Sequence, residues 1–276
     1  MNELLPGSSR FGSPNEMITE IDHLIHFILD KEWMAREWQR LEAGEDFIKI
    51  HPLVVVAFKA HQQIKEFISK NSFGMTEEIF ELVELARKIN NLKTCSVVGL
   101  DKRLKNLTSM DFTLYRTARY EIQIAGMLLE RRHRVNFIEE SDKKTPDILV
   151  SNLDENCEIE CKHKDPNVDQ LDYIRSIYNS TQTARKQFSK RYPGIIAIEI
   201  DKVHFKDFDI EIERLKDEIL RAMRNSSSIS VILVTSKVFM EDEEDYIYRH
   251  LVKGFFSPKP RYSVPEWLSK NLINVK

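Results

Sequence analysis

Thr145-Pro146-Asp147-Ile148-Leu149-Val150 is followed, across a polar stretch containing Asn152, Asp154 and Asn156, by Cys157-Glu158-Ile159-Glu160-Cys161-Lys162. Each stretch holds a short apolar run suited to a strand, and the Asn and Asp residues between them suit a turn. The pair predicts a hairpin. Side chains alternate along a strand, so Glu158, Glu160 and Lys162 share one face, while Cys157, Ile159 and Cys161 share the apolar one. Successive residues on one face lie about 6.6 Å apart, so Glu160 and Lys162 flank one small volume. Asp147 starts the preceding strand and reaches the same volume across the hairpin. Two carboxylates hold a hard divalent cation such as Mg²⁺ or Mn²⁺ through oxygen. Such a cation neutralises a phosphate oxygen and acidifies a bound water, and a neighbouring lysine orients that water or stabilises developing charge.

Around this hairpin the texture is α/β. Further apolar runs, Val135–Phe137, Ile195–Ile200 and Val231–Thr235, alternate with polar helical stretches at about 167–191 and 209–224. Asp111 caps a long helix carrying Phe112, Tyr115, Ala118, Ile122, Ala125 and Leu129. Upstream the pattern is helical throughout. Met17, Ile18, Ile21, Leu24, Ile25, Ile28 and Leu29 form one stripe, continued by Trp33, Met34, Trp38 and Leu41 until Gly44. Pro52 opens a further helix and Thr76 caps another. Residues 1–14 read as a loose tail, and Pro258, Pro260 and Pro265 mark an extended C-terminal loop. The expected organisation is an α-helical accessory domain over 1–108 and an α/β catalytic domain over 109–276.

Composition removes many alternatives. The chain has 276 residues, a formal net charge of -3 and only 8 glycines. Those glycines assemble no phosphate-binding loop of the Walker or dinucleotide type, and neither H-E-x-x-H nor G-x-S-x-G occurs. No apolar stretch is long enough to span a bilayer, and the start has no basic-then-apolar leader. With 3 cysteines, too few for a disulfide scaffold, the expected compartment is the reducing cytoplasm, with no membrane partner.

Pro146-Asp147 followed by Glu160-Cys161-Lys162, each on an apolar strand and preceded by a helix carrying an acid, resembles the PD-(D/E)xK nuclease superfamily. The resemblance covers about 111–201. It implies a restriction-endonuclease-like α/β core with a mixed central sheet flanked by helices. It also implies a metal-dependent nuclease, a DNA endonuclease of restriction, repair or anti-phage defence. Asp147 and Glu160 take the metal-binding roles and Lys162 the role of assisting the attacking water. Glu121, in Arg119-Tyr120-Glu121-Ile122, matches the acid on the preceding helix. Some members carry a Gln or basic residue on the helix after the ExK strand, a role suited to Gln182 and Lys186. The family also acts within larger machines, so a helicase or other motor protein is an expected partner, as is a second copy of the chain. A catalytically silent, nuclease-like nucleic-acid-binding or scaffolding subunit is the alternative.

Other patterns have plainer readings. Cys157, Cys161 and His163 lack a fourth zinc ligand nearby and read as core packing. Glu158 lies outside the motif and reads as a solvent-exposed strand residue. Net charge gives no support for nucleic acid, but local clusters do: Arg185, Lys186, Lys190 and Arg191 in one run, and Arg131, Arg132, His133 and Arg134 in another. The acidic run Glu241 to Asp245 is expected to face away from DNA or to mask it.

Overall fold

The computed structural model describes residues 14–70, 76–139, 144–164, 170–200, 205–224, 226–242 and 245–272. Apart from Pro14, the expected N-terminal tail lies outside them. The fold is α+β, with helices and a six-stranded mixed open sheet. Its described residues fall into two compact units. One runs to Ser96 and resumes over Leu100–Gly126; the other takes Val97–Gly99 and everything from Met127 on.

The first unit is helical. It contains α1 (Pro14–His23), α2 (Lys31–Glu42), α3 (Pro52–Ser69), α4 (Glu77–Thr94), α5 (Leu100–Leu107) and most of α6 (Phe112–Glu130). A π-helical turn, Leu24–Ile28, separates α1 from α2 where the sequence suggests one stripe. The caps act as their sequence predicts. Thr76 Oγ1 accepts the Ile79 amide at 3.4 Å and Asp111 Oδ1 accepts that of Thr113 at 2.9 Å. Ile79, Phe80, Leu82, Val83, Ala86 and Ile89 bury one side of α4. His51, fully buried at the start of α3, accepts the Leu53 amide on Nδ1 at 3.2 Å. Its Nε2 therefore carries the hydrogen, which it donates to Ser109 O at 3.1 Å. Trp33, Phe112 and Tyr115 meet its ring edge to face.

The second unit is built on the sheet. Strands β1 (Arg134–Phe137), β2 (Ile148–Asn152) and β3 (Glu155–Lys164) form an antiparallel meander. Helix α7 (Gln170–Ala184) leads to β4 (Gly194–Ile200), parallel to β3. Helix α8 (Phe205–Arg224) leads to β5 (Ile229–Asp242), parallel to β4, and β6 (Asp245–Phe256) closes the sheet antiparallel to β5. Strand order in space is the order in sequence. Every residue of β4 is buried, the pattern of a parallel strand covered on both faces. In register, Glu160 pairs with Ile196, Lys162 with Ile198 and Lys164 with Ile200, so these six side chains share a face. Ile177 and Ala184 of α7 and Ile212, Leu215 and Ile219 of α8 pack on that face against Ile196, Ile198 and Ile200. Burying each such isoleucine contributes about 1.5–3 kcal/mol, which fixes α7 over the strands that carry the polar residues.

The stretch marked by Pro258, Pro260 and Pro265 carries neither helix nor strand, as expected, and leads into α9 (Glu266–Leu272), with Leu268 fully buried and Trp267 Nε1 donating to Glu155 Oε2 at 2.8 Å. Of the acidic run, Glu241 and Asp242 end β5 and Asp245 begins β6, where Asp242 pairs with Asp245. Among the described residues no helix is long and apolar enough to cross a membrane.

Candidate active site

The β2–β3 hairpin brings Asp147 beside Glu160 and Lys162. Main-chain bonds seat Asp147 where β2 begins: its amide donates to Ile159 O at 3.0 Å and its carbonyl accepts the Ile138 amide at 2.9 Å. Its Oδ2 accepts the Cys161 amide at 2.7 Å, so the carboxylate is turned toward β3. Pro146 is buried just ahead of it. Glu160 is 1% exposed. Lys162 Nζ donates to Glu160 Oε1, whereas Glu160 Oε2 is buried without a hydrogen-bond partner. The Lys162 side chain keeps 27% of its surface in solvent, so the ammonium lies between a buried carboxylate and water.

The electrostatics follow from this placement. Burial first, and then the adjacent Asp147 carboxylate, push the Glu160 carboxyl up to about 8, against the pull of Lys162 and of the Gln187 amide. Burial alone would lower the Lys162 ammonium, but Glu160 and Asp147 outweigh it and hold it above the usual lysine range. Lys164, next on the same face, is brought down to about 8 by burial and then by Lys162. Its ammonium donates to Ser176 O at 3.0 Å, to Ser176 Oγ at 2.8 Å and to Ser180 Oγ, which ties β3 to α7.

The donor set suits a hard cation. Among the described residues no three His, Cys, Asp or Glu side chains converge to hold a metal. Two carboxylates with one unpartnered oxygen match the sparse protein ligation of Mg²⁺, which keeps several waters. Cys157 and Cys161 are buried and not joined in a disulfide, and burial, then Glu155 and Glu158, push the Cys157 thiol up to about 12. They are core residues. His163 Nδ1 lies 2.8 Å from Glu199 Oε2 on the opposite face of the sheet from Glu160.

Several residues sit differently from the sequence reading. Glu121 is 6% exposed and accepts Arg103 Nε at 2.7 Å within the helical unit. Helix α7 ends at Ala184 rather than continuing to 191, so Lys186 lies in the turn that follows. Gln182 is aimed at α8, where its Nε2 donates to Ala222 O at 3.3 Å. The glutamine at the site is Gln187, whose Nε2 donates to Thr145 O at 3.2 Å and whose amide acts on Glu160. Glu158, expected in solvent, is 5% exposed and accepts the Ser189 amide at 2.7 Å. That bond secures the turn carrying Gln187. Gly194 allows the same turn to close, because a Cβ there would stand 2.5 Å from Ser228 O and 2.8 Å from the Phe188 ring. In the basic clusters Lys186, Lys190, Arg191, Arg132 and Arg134 are exposed and Arg185 is half-buried. Arg131 is turned inward: its NH1 is buried without a partner and burial lowers its proton affinity. Arg131 is thus poorly placed to bind phosphate beside the exposed Arg132.

Comparison with protein-family models and with curated proteins finds no match to this chain.

Proposed function

We propose that this chain is a metal-dependent nuclease that hydrolyses phosphodiester bonds, with DNA as substrate and Asp147, Glu160 and Lys162 as its working residues. One observation carries the reading. Residues from two strands bring two carboxylates and an ammonium together at a sheet face, with Glu160 Oε2 buried and lacking a partner. A buried oxygen of this kind weakens the fold by about 1–3 kcal/mol, and a cation ligand is a role that accounts for it. The order of α6, the antiparallel β1–β2–β3, then α7 and the parallel β4 supports the resemblance to the restriction-endonuclease-like fold.

Asp147 and Glu160 would hold Mg²⁺ or Mn²⁺, which when bound supplies positive charge to a phosphate oxygen and acidifies a water. Lys162, anchored on Glu160 yet open to solvent, orients the attacking water and stabilises charge developing on the phosphate. Asp147 is held by the Cys161 amide, so its carboxylate is oriented in advance. The exposed Lys186, Lys190 and Arg191 lie on either side of Gln187 in sequence and suit phosphates flanking the scissile one. Residues 109–276 form the catalytic part and the helical 1–108 serves assembly, with a motor protein or a second copy as partner.

The test is purified full-length chain with Mg²⁺ or Mn²⁺ on supercoiled plasmid, linear duplex, single strand and RNA. Metal-dependent nicking of the plasmid is expected. Retained binding with no cleavage of any substrate would make the chain a silent subunit instead.

A further inference from the structure

Among the described residues of this unit, three of the buried oxygens that lack a hydrogen-bond partner come from segments that meet at one place: Glu160 Oε2, Gln187 Oε1 and Thr145 Oγ1. Glu160 stands on β3, Gln187 in the turn after α7, and Thr145 two residues before Asp147. The last two are joined directly, since Gln187 Nε2 donates to Thr145 O at 3.2 Å. That bond uses one hydrogen of the amide nitrogen, whose other hydrogen faces Glu160, and leaves Oε1 as an acceptor. Buried polar atoms are almost always paired, so three together are a deficit of donors. The waters of a hydrated cation direct their hydrogens outward and are the donors such oxygens accept from. Mg²⁺ in particular gives up its waters reluctantly.

We infer that Thr145 and Gln187 are positioning residues of the cation site, accepting hydrogen bonds from waters carried by a divalent cation that Asp147 and Glu160 hold. The inference rests on reading those carboxylates as a cation site. It gives Gln187 two tasks: it fixes the chain entering Asp147, and it orients the water shell. Gln182, bonded to Ala222 O on α8, does neither.

The experiment is calorimetric Mn²⁺ titration of the full chain, with melting in chelator measured alongside. The variants are Thr145→Val, Thr145→Ser, Gln187→Met and Asp147→Asn. Thr145→Val and Gln187→Met are expected to weaken Mn²⁺ binding by about 10–100-fold, as loss of an outer partner does, and Thr145→Val is expected to keep the parent's melting temperature in chelator. Thr145→Ser, which keeps the hydroxyl, is expected to bind like the parent. Wild-type affinity in both Thr145→Val and Gln187→Met, with binding lost in Asp147→Asn, would overturn this inference and leave the carboxylate site standing. A parent chain that binds no Mn²⁺ would overturn the carboxylate reading itself. Lower melting in chelator for all the Thr145 and Gln187 variants, Thr145→Ser included, would make the two residues structural and overturn the inference as well.

Discussion

Glu160→Gln is expected to stabilise the metal-free chain. The side chain is 1% exposed, one oxygen has no partner, and Asp147 stands beside it. A carboxyl that loses its proton near 8 when folded, against an ordinary 4.5, weakens folding by on the order of 3 kcal/mol at pH 7. Because the folded value is the higher one, its stability contribution is complete below 4.5 and is lost as pH rises through 8. Glutamine abolishes the ionisation and keeps the shape, at the cost of weakening the bond from Lys162, so the net gain is about 1–3 kcal/mol. For a unit of this size that is a rise of roughly 2–10 °C in melting temperature. The assay is thermal unfolding in chelator from pH 4 to pH 9. The variant and the parent should coincide at the acid end and separate as pH rises. Adding Mn²⁺ should raise the parent and leave the variant little changed. A variant that melts at or below the parent across the whole range would refute the account of a buried, poorly compensated carboxylate.

Three further outcomes follow from the same geometry. His51, fully buried with its proton affinity lowered to about 4 by burial, makes the helical unit acid-sensitive. Its contribution is complete above 6.5 and is lost as pH falls toward 4, by up to about 3 kcal/mol. Urea unfolding of His51→Gln should have a flatter acid limb than the parent, and equal slopes would dismiss His51 as the cause. Arg185→Glu with Lys186→Glu should weaken duplex binding and reduce the slope of log K against log salt by about 0.9 for each phosphate no longer neutralised; an unchanged slope in a filter-binding assay would place the DNA elsewhere. Lys164→Met removes the ammonium that joins β3 to Ser176 and Ser180. It should lower the melting temperature while leaving Mn²⁺ affinity within a few-fold, and a large loss of affinity would give Lys164 a part in the site.

The hairpin was legible in the sequence because its signals are local. Alternation assigned Glu160 and Lys162 to one face, and Asn and Asp at the turn set the register. The caps at Thr76 and Asp111 were legible for the same reason. What escaped depends on partners distant in sequence. Helix α7 ends at Ala184 without Gly or Pro, so Gln182 and Lys186 read as neighbours on a helix while nothing local marks Gln187. Glu158 read as exposed because its burial comes from the Ser189 amide. Arg131 belongs to an arginine-rich run, and nothing local separates the residue turned inward from those in solvent. Strand β6 mixes charged with apolar residues and follows an acidic run, so its place was visible only through pairing with β5. Helix α9 follows Pro265 and is held by Trp267 on Glu155, an interaction that spacing does not announce.

The most direct test of the central claim is plasmid nicking by the parent chain and by Lys162→Ala, with Mg²⁺ and in chelator. Lys162 is partly exposed and bonded to Glu160, so its removal should leave a folded chain that still binds Mn²⁺ and duplex. Cleavage should require the metal in the parent and fall by at least about 100-fold in the variant, the size of effect expected when one preorganised charge is lost. Equal nicking by parent and variant, or nicking that persists in chelator, would contradict it.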